Sequence, residues 1–211
     1  MRIAVIDYGM GNLRSVSKAL EHVAPGALVE VTSDPGAVAA ADRVVFPGQG
    51  AMPDCMREMQ ARALRQPVIA TAATKPFLGI CIGLQMLFDS SDEGAVSGLA
   101  VLPGRVKRFP AEAMRVQDGP RLKVPHMGWN RVRQVRPHPL WAGIEDGARF
   151  YFVHSYYAEP GRADLACGVS DYGIPFTCAV ARDNIFAVQF HPEKSQHSGL
   201  TLLSNFVNWT P

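Results

Sequence analysis

Cysteine, net charge and long apolar runs are all scarce in this chain, and each shortage excludes a class of protein. Four cysteines in 211 residues, Cys55, Cys81, Cys167 and Cys178, are too few and too unevenly spaced for a disulfide framework. None belongs to a C-x-x-C pair, so zinc binding and thiol exchange lose their usual signature and the thiols are read as reduced. Lys plus Arg (21) against Asp plus Glu (19) leaves +2, too little for the whole surface to serve as a nucleic-acid or membrane footprint. No apolar run approaches the roughly 20 residues that span a bilayer. Asp7 also interrupts the N-terminal stretch where a signal peptide needs an apolar core. The expectation is a soluble, cytosolic protein that binds neither nucleic acid nor membrane. No G-x-x-x-x-G-K-[ST] occurs, which removes an ATP-binding P-loop.

What is present suits an ordinary folded domain. Hydrophobic residues make up 47% and charged residues 19%, which places the chain among globular proteins and predicts one domain across residues 1–211. Charge is unevenly spread: Arg105 to Arg136 carries nine basic and two acidic residues, Glu112 and Asp118, a local +7. The favoured reading is a set of solvated strands whose cations discourage edge pairing, ahead of a face for a phosphate or an acidic partner.

Up to about residue 90, near-continuous apolar runs alternate with helical patterns: RIAVID, then Leu13, Val16, Leu20 and Val23 at helical spacing, ALVEVT, DPGAVAAA, RVVFPG, MPDCMREMQARAL, and PFLGIC running into IGLQMLFD. Buried strands separated by helices predict an α/β fold with a central, mostly parallel sheet flanked by helices. From about Leu99 the strands crowd together (LAVLPGRVKRF, GWNRVRQV, RFYFVHSYY, DLACGVSDY, PFTCAVAR, IFAVQFH), predicting an additional antiparallel or mixed region. A last helix places Leu200, Leu203, Phe206 and Val207 on one face. No repeat or linker divides the chain.

Gly9-Met10-Gly11 follows the first strand, but Arg14 occupies the third glycine position of a dinucleotide fingerprint, so it is read as a tight strand-to-helix turn. Gly79-Ile80-Cys81-Ile82-Gly83 has the layout of a nucleophile elbow, with cysteine in place of serine. The glycines allow a sharp turn between strand and helix, and free N–H groups at the helix start favour a thiolate, the form an acyl-transfer nucleophile needs. Cys55, Cys167 and Cys178 lie in ordinary strand or helix patterns and are read as buried small hydrophobes.

The base expected beside Cys81 is His191, in FAVQFHPEKS. In an extended stretch it projects to the same side as Glu193, and Pro192 stiffens the backbone between them. That supplies base and orienter for a Cys-His-Glu set. Pro47-Gly48-Gln49-Gly50 is a glycine-rich turn whose N–H groups can join that of Ile82 as oxyanion donors, so Gly48, Gln49 and Ile82 are the candidate hole. His22, His138 and His197 are read as surface, loop and helix-entry residues. His126 and His154 sit in the unusual contexts PHMGWN and YFVHSYY, while Tyr151, Phe152 and Tyr157 are read as packing residues.

The G-I-C-x-G elbow, the H-P-E segment and the P-G-x-G turn together resemble the class I (triad) glutamine amidotransferases. Within them, DYGMGNLRSV, VPHMGWN, YFVHSYY, FHPEKSQHSG and LLSNFV are similar to the glutaminase subunit of imidazole glycerol phosphate synthase, a likeness running from Arg2 to about Trp209. The resemblance implies that Cys81 attacks the glutamine carboxamide with release of ammonia through a thioester, assisted by His191 and Glu193. It implies that Gly50, Gln85 and the His154-Ser155-Tyr156 backbone hold the amino-acid end of glutamine. It further implies a cyclase partner, a (β/α)8 barrel that takes up the ammonia in histidine biosynthesis, with Asn12, Trp129, Tyr151 and Lys194 toward that partner. Weak activity of the isolated chain and stimulation by the partner are expected, with no cofactor and no metal.

Two departures from the family pattern stand out. Gln49 replaces a commonly aliphatic residue in the oxyanion turn, and the elbow continues C-I-G-L-Q rather than C-L-G-M-Q, a volume-conserving exchange expected to be neutral. The rival readings are the glutaminase subunit of anthranilate or aminodeoxychorismate synthase, which would share Cys81, His191 and Glu193, and a non-catalytic scaffold of the same fold.

Overall fold

Residues 1–115 and 121–211 are described by a computed structural model of the chain. The first half forms β1 (Arg2–Ile6), α1 (Leu13–Val23), β2 (Leu28–Thr32), α2 (Pro35–Ala40), β3 (Arg43–Gly48), α3 (Met52–Ala61), α4 (Arg65–Ala72), β4 (Phe77–Cys81) and α5 (Ile82–Gln85). The second half adds β5 (Ser90–Ser91), β6 (Val96–Ser97), β7 (Gly104–Arg108), β8 (His126–Arg131), β9 (Arg133–Gln134), β10 (Arg149–His154), β11 (Tyr156–Pro160), β12 (Ala166–Asp171), β13 (Pro175–Arg182), β14 (Ile185–Val188) and α6 (Gln196–Asn208).

One sheet runs β2-β1-β3-β4-β14-β13-β11-β7-β5-β6, with β12 pairing β13 and β9 to the side; β8 and β10 form a separate antiparallel ribbon. From β2 to β14 every pairing is parallel. Successive strand residues point to opposite faces, so the complete burial of β4 means that both faces of the sheet centre are covered. α1 packs with α6 and α2 with α4 to provide that cover. α2 starts where the Asp34 carboxylate accepts from the N–H groups of Gly36 and Ala37, with Pro35 in the first turn.

The last strand of the crowded second half, β14, is where the mixed region joins the parallel centre, antiparallel to β13 and parallel to β4. Expectations for three of the helices need correction. The helix expected to continue through Leu64 stops at Ala61, with Ala63 at φ 55°, and a second helix, α4, follows. The helical pattern of Leu84, Leu87 and Phe88 is realised as the single turn α5, ending at Gln85. On α6 the buried face uses Leu202 with Leu203, Phe206 and Val207, and Leu200 is only half-buried.

The cations of the Arg105–Arg136 stretch do not guard a free edge throughout. β7 is paired on both sides, with β11 and β5, and its Arg105 and Lys107 meet Glu159 across the β11 pairing. Asp118, counted in that stretch, lies outside the described residues. No helix among the described residues is long and apolar enough to cross a membrane.

Candidate active site

The carboxyl ends of β3, β4 and β14 meet at the site, the place where open parallel sheets leave a crevice. Cys81 ends β4 with φ 56° and ψ −111°, a backbone conformation that costs a non-glycine residue about 1–3 kcal/mol and persists only when its surroundings impose it. The elbow glycines impose it. A Cβ on Gly83 would lie 1.8 Å from the Phe46 carbonyl oxygen, and one on Gly79 would lie 2.9 Å from Ala187 Cβ. Only hydrogen at these two positions lets α5 follow β4 so closely.

His191 and Glu193 are joined as expected in contact but not in conformation. Pro192–Lys194 forms a 3-10 turn with His191 as its N-cap, not an extended stretch, because Pro192 suits a first helical position. Within that turn His191 Nδ1 lies 2.8 Å from Glu193 Oε1, and both side chains are buried. The His191 backbone is itself clamped: its N–H donates to the Tyr151 carbonyl at 2.9 Å, while Ser195 Oγ donates to the His191 carbonyl at 2.6 Å.

Burial opposes protonation of His191, but its interactions with Cys81 and Glu193 outweigh it and push the imidazole up to about 10. Its Nε2 has no hydrogen-bond partner among the described residues, yet Cys81 is the strongest influence raising its affinity for protons. The three groups therefore form one electrostatic unit, with Nε2 buried and unpartnered on the Cys81 side.

The turn after β3 sits directly beside the nucleophile. Gly48 pairs in register with Cys81, Tyr8 Oη donates to the Pro47 carbonyl at 2.9 Å, and Cys55 Sγ donates to the Gln49 carbonyl at 3.5 Å. Gly50 has φ +98°, which glycine tolerates. Among the described residues the N–H groups of Gln49 and Gly50 have no protein acceptor.

Gly50, Cys81, Ile82, Gln85, Glu93, Val153, His154, Ser155 and Tyr156 line a cavity of about 100 Å³. That is below the range of about 300–1,000 Å³ typical of drug-sized ligands, and it suits a small metabolite. A larger depression, about 670 Å³ beside Arg108 and Phe109, contains none of these groups. Among the groups lining this cavity, Gln85 Oε1 is buried without a hydrogen-bond partner, a costly state for a polar atom that a ligand could relieve.

Sequence reading missed two residues of this site. Gln189 is fully buried, accepts from Gln85 Nε2 at 2.9 Å and places its own amide nitrogen 3.7 Å from Cys81 Sγ. A lone polar residue within FAVQFH was its available signal. Glu93, whose Oε2 accepts from the Met52 N–H at 2.8 Å, comes from a short turn with no local signature.

The residues expected at a partner surface also converge. Trp129 and Tyr151 are T-shaped neighbours with ring centroids 6.2 Å apart, and Lys194 Nζ lies 5.9 Å from the Tyr151 ring. Asn12 opens α1, which packs against the Pro192–Lys194 turn. Trp129 and Met127 are exposed, at 43% and 62%.

Residues 4–209 match the family described as glutamine amidotransferase class-I. The chain is 70% identical over 209 residues to the imidazole glycerol phosphate synthase subunit HisH of Dechloromonas aromatica (strain RCB), covering 99% of this chain and 97% of that one. The HisH subunit of Aromatoleum aromaticum is 67% identical over 209 residues, covering 99% of each chain. Among solved structures, PurLQS from Thermotoga maritima superposes with a TM-score of 0.72 at 17% identity, covering 98% of this chain and 97% of that one, a likeness of fold. The chain belongs to the class I glutamine amidotransferase family, in the branch of the HisH subunits of imidazole glycerol phosphate synthase.

Proposed function

We propose that residues 1–211 act as one glutamine amidotransferase domain, the glutaminase subunit of a cytoplasmic imidazole glycerol phosphate synthase. The observation that carries this reading is the buried Cys81, His191 and Glu193 unit, with Cys81 held on a strained elbow that lines a small cavity. Cys81 Sγ adds to the carboxamide carbon of glutamine. The oxyanion is met by N–H groups of the Gly48-Gln49 turn and of Ile82. Protonated His191 gives its proton to the departing nitrogen, which leaves as ammonia, and a thioester remains. His191 then takes a proton from water as that water attacks the thioester, and glutamate is released. Glu193 orients the ring throughout.

Gly50, Gln85, His154, Ser155 and Tyr156 surround the amino-acid end of the substrate, and Glu93 complements its ammonium group. Ammonia passes to a (β/α)8 cyclase partner seated against Asn12, Trp129, Tyr151 and Lys194. Enclosure keeps it unprotonated and therefore nucleophilic. The partner also completes the oxyanion hole, so the isolated chain is expected to be slower by about a hundred- to a thousandfold, the usual cost of one missing donor.

The test is glutamate release by the chain alone, with the cyclase, and with the cyclase plus its nucleotide substrate, each repeated with Cys81→Ala. Release that needs the full assembly and disappears in the variant is expected. Release indifferent to that cyclase would move the assignment to another triad amidotransferase, and none under any condition would favour a scaffold.

A further inference from the structure

Behind His154, which lines the cavity, lies a second histidine, His126, that the proposed chemistry does not use. His126 on β8 and His154 on β10 stand opposite one another in the antiparallel ribbon, and both are buried. His126 is sandwiched between Tyr172 and Phe152, with ring centroids 4.0 and 4.9 Å away. The sandwich sets the plane of the ring and leaves its two nitrogens facing polar neighbours.

Hydrogen bonding around these rings permits one arrangement of protons. His154 Nδ1 is 2.8 Å from the Tyr156 carbonyl oxygen, which only accepts, so Nδ1 carries a proton. On the far side, Asn130 Oδ1 accepts from the Arg131 N–H at 2.8 Å, which leaves the amide nitrogen to face His126 Nε2 at 3.3 Å. That Nε2 must accept, so His126 carries its proton on Nδ1. Nδ1 then donates across 3.0 Å to His154 Nε2. Burial, which lowers His126 to about 4 and His154 to about 3, agrees with two neutral rings.

These bonds end on a carbonyl oxygen that a second chain, leading to Cys81, shares. The Tyr156 carbonyl that receives His154 also receives Gln85 Nε2 at 3.1 Å; Gln85 reaches Gln189, and Gln189 reaches Cys81. A phenylalanine at position 126 would fill the same sandwich. The imidazole adds a donor that is spent on His154, and through it on a wall of the cavity.

We propose that His126 is a positioning residue for glutamine hydrolysis, holding the Tyr156 carbonyl and Gln85 through His154 in the geometry that receives the amino-acid end of the substrate. The inference rests on the reading of this cavity as the glutamine site.

The test combines kinetics with spectroscopy on the assembled synthase and on the isolated chain. In His126→Phe the stack is kept, the donor is lost and His154 Nε2 is left unpartnered. KM for glutamine is expected to rise about tenfold, the scale of a buried group left unsatisfied, with kcat changed less than about threefold. Product formation driven by added ammonium salt should be unchanged. His126→Gln, with a donor and an acceptor of its own, should recover part of the loss in KM. Wild-type KM in His126→Phe, with or without lowered stability, would overturn the proposal. Should that variant not fold, nitrogen NMR of the wild-type chain decides: Nδ1-protonated neutral rings at both positions are expected, and an Nε2-protonated ring at either overturns it. Absence of glutamine hydrolysis by the wild-type synthase would instead defeat the glutaminase reading itself, whatever the histidine tautomers.

Discussion

Gly48 faces Cys81 in the parallel register of β3 and β4, and no side chain fits at position 48. A Cβ on Gly48 would lie 2.2 Å from Tyr8 Oη and 2.9 Å from Ile82 Cβ. Gly48→Ala should therefore destabilise the chain by about 1–3 kcal/mol, the usual cost of overpacking, and displace the turn beside the nucleophile. Urea denaturation and glutamate release measure the two effects, and wild-type values in both would mean that the turn yields freely.

Cys81 should be the one thiol open to alkylation. Burial raises the Cys55 thiol to about 11 and also raises Cys167 and Cys178, so these three stay protonated at neutral pH. Iodoacetamide followed by peptide mass spectrometry should find one adduct, on Cys81, with parallel loss of glutaminase activity. Equal labelling of Cys55 would contradict the expected selectivity.

Glu193→Gln keeps the size of the side chain but removes the charge 2.8 Å from His191 Nδ1. Glutamine turnover should fall roughly a hundredfold, within the range supplied by acid–base groups, while ammonium-driven synthesis by the complex persists. Circular dichroism and co-purification of the variant with its partner distinguish this from simple unfolding, which would change both.

The folded-state value of His191, about 10, lies above the 6.5 of a free imidazole, so the folded state binds the extra proton. Its contribution to stability is complete below about pH 6.5 and is lost as pH rises through about 10. The stability gap between wild type and Glu193→Gln should accordingly be widest below pH 6.5 and narrow toward pH 10. Denaturation curves across that window check it; a gap that widens with pH would reverse the assigned sign.

Gln49 is exposed, and its backbone carbonyl is what Cys55 holds. Gln49→Val should leave stability within about 0.5 kcal/mol of wild type, as surface substitutions do. Thermal melting tests this directly, and a larger change would place the Gln49 side chain in the turn's support.

Legibility in the sequence followed the range of the physics involved. The elbow glycines, the P-G-x-G turn and the His191-Pro192-Glu193 segment are local, so spacing alone exposed Cys81, His191 and Glu193 as a set. The local conformation of that segment was misjudged, because Pro192 suits a 3-10 turn as well as a strand and the neighbouring Tyr151 and Ser195 contacts settle which one forms. Gln189 and Glu93 left little trace, since their roles depend on partners 108 and 41 residues away, Cys81 and Met52.

By itself, the order of residues determined the alternating strands and helices, the sharp turn that carries Cys81 and the pairing of His191 with Glu193, because apolar periodicity and glycine spacing act over a few residues. Tertiary structure alone decided that β14 lies beside β4, that Gln85 and Gln189 meet, and that His126 meets His154. Those contacts join segments far apart in the chain, and hydrogen bonds of buried groups are specified only when packing has closed every alternative.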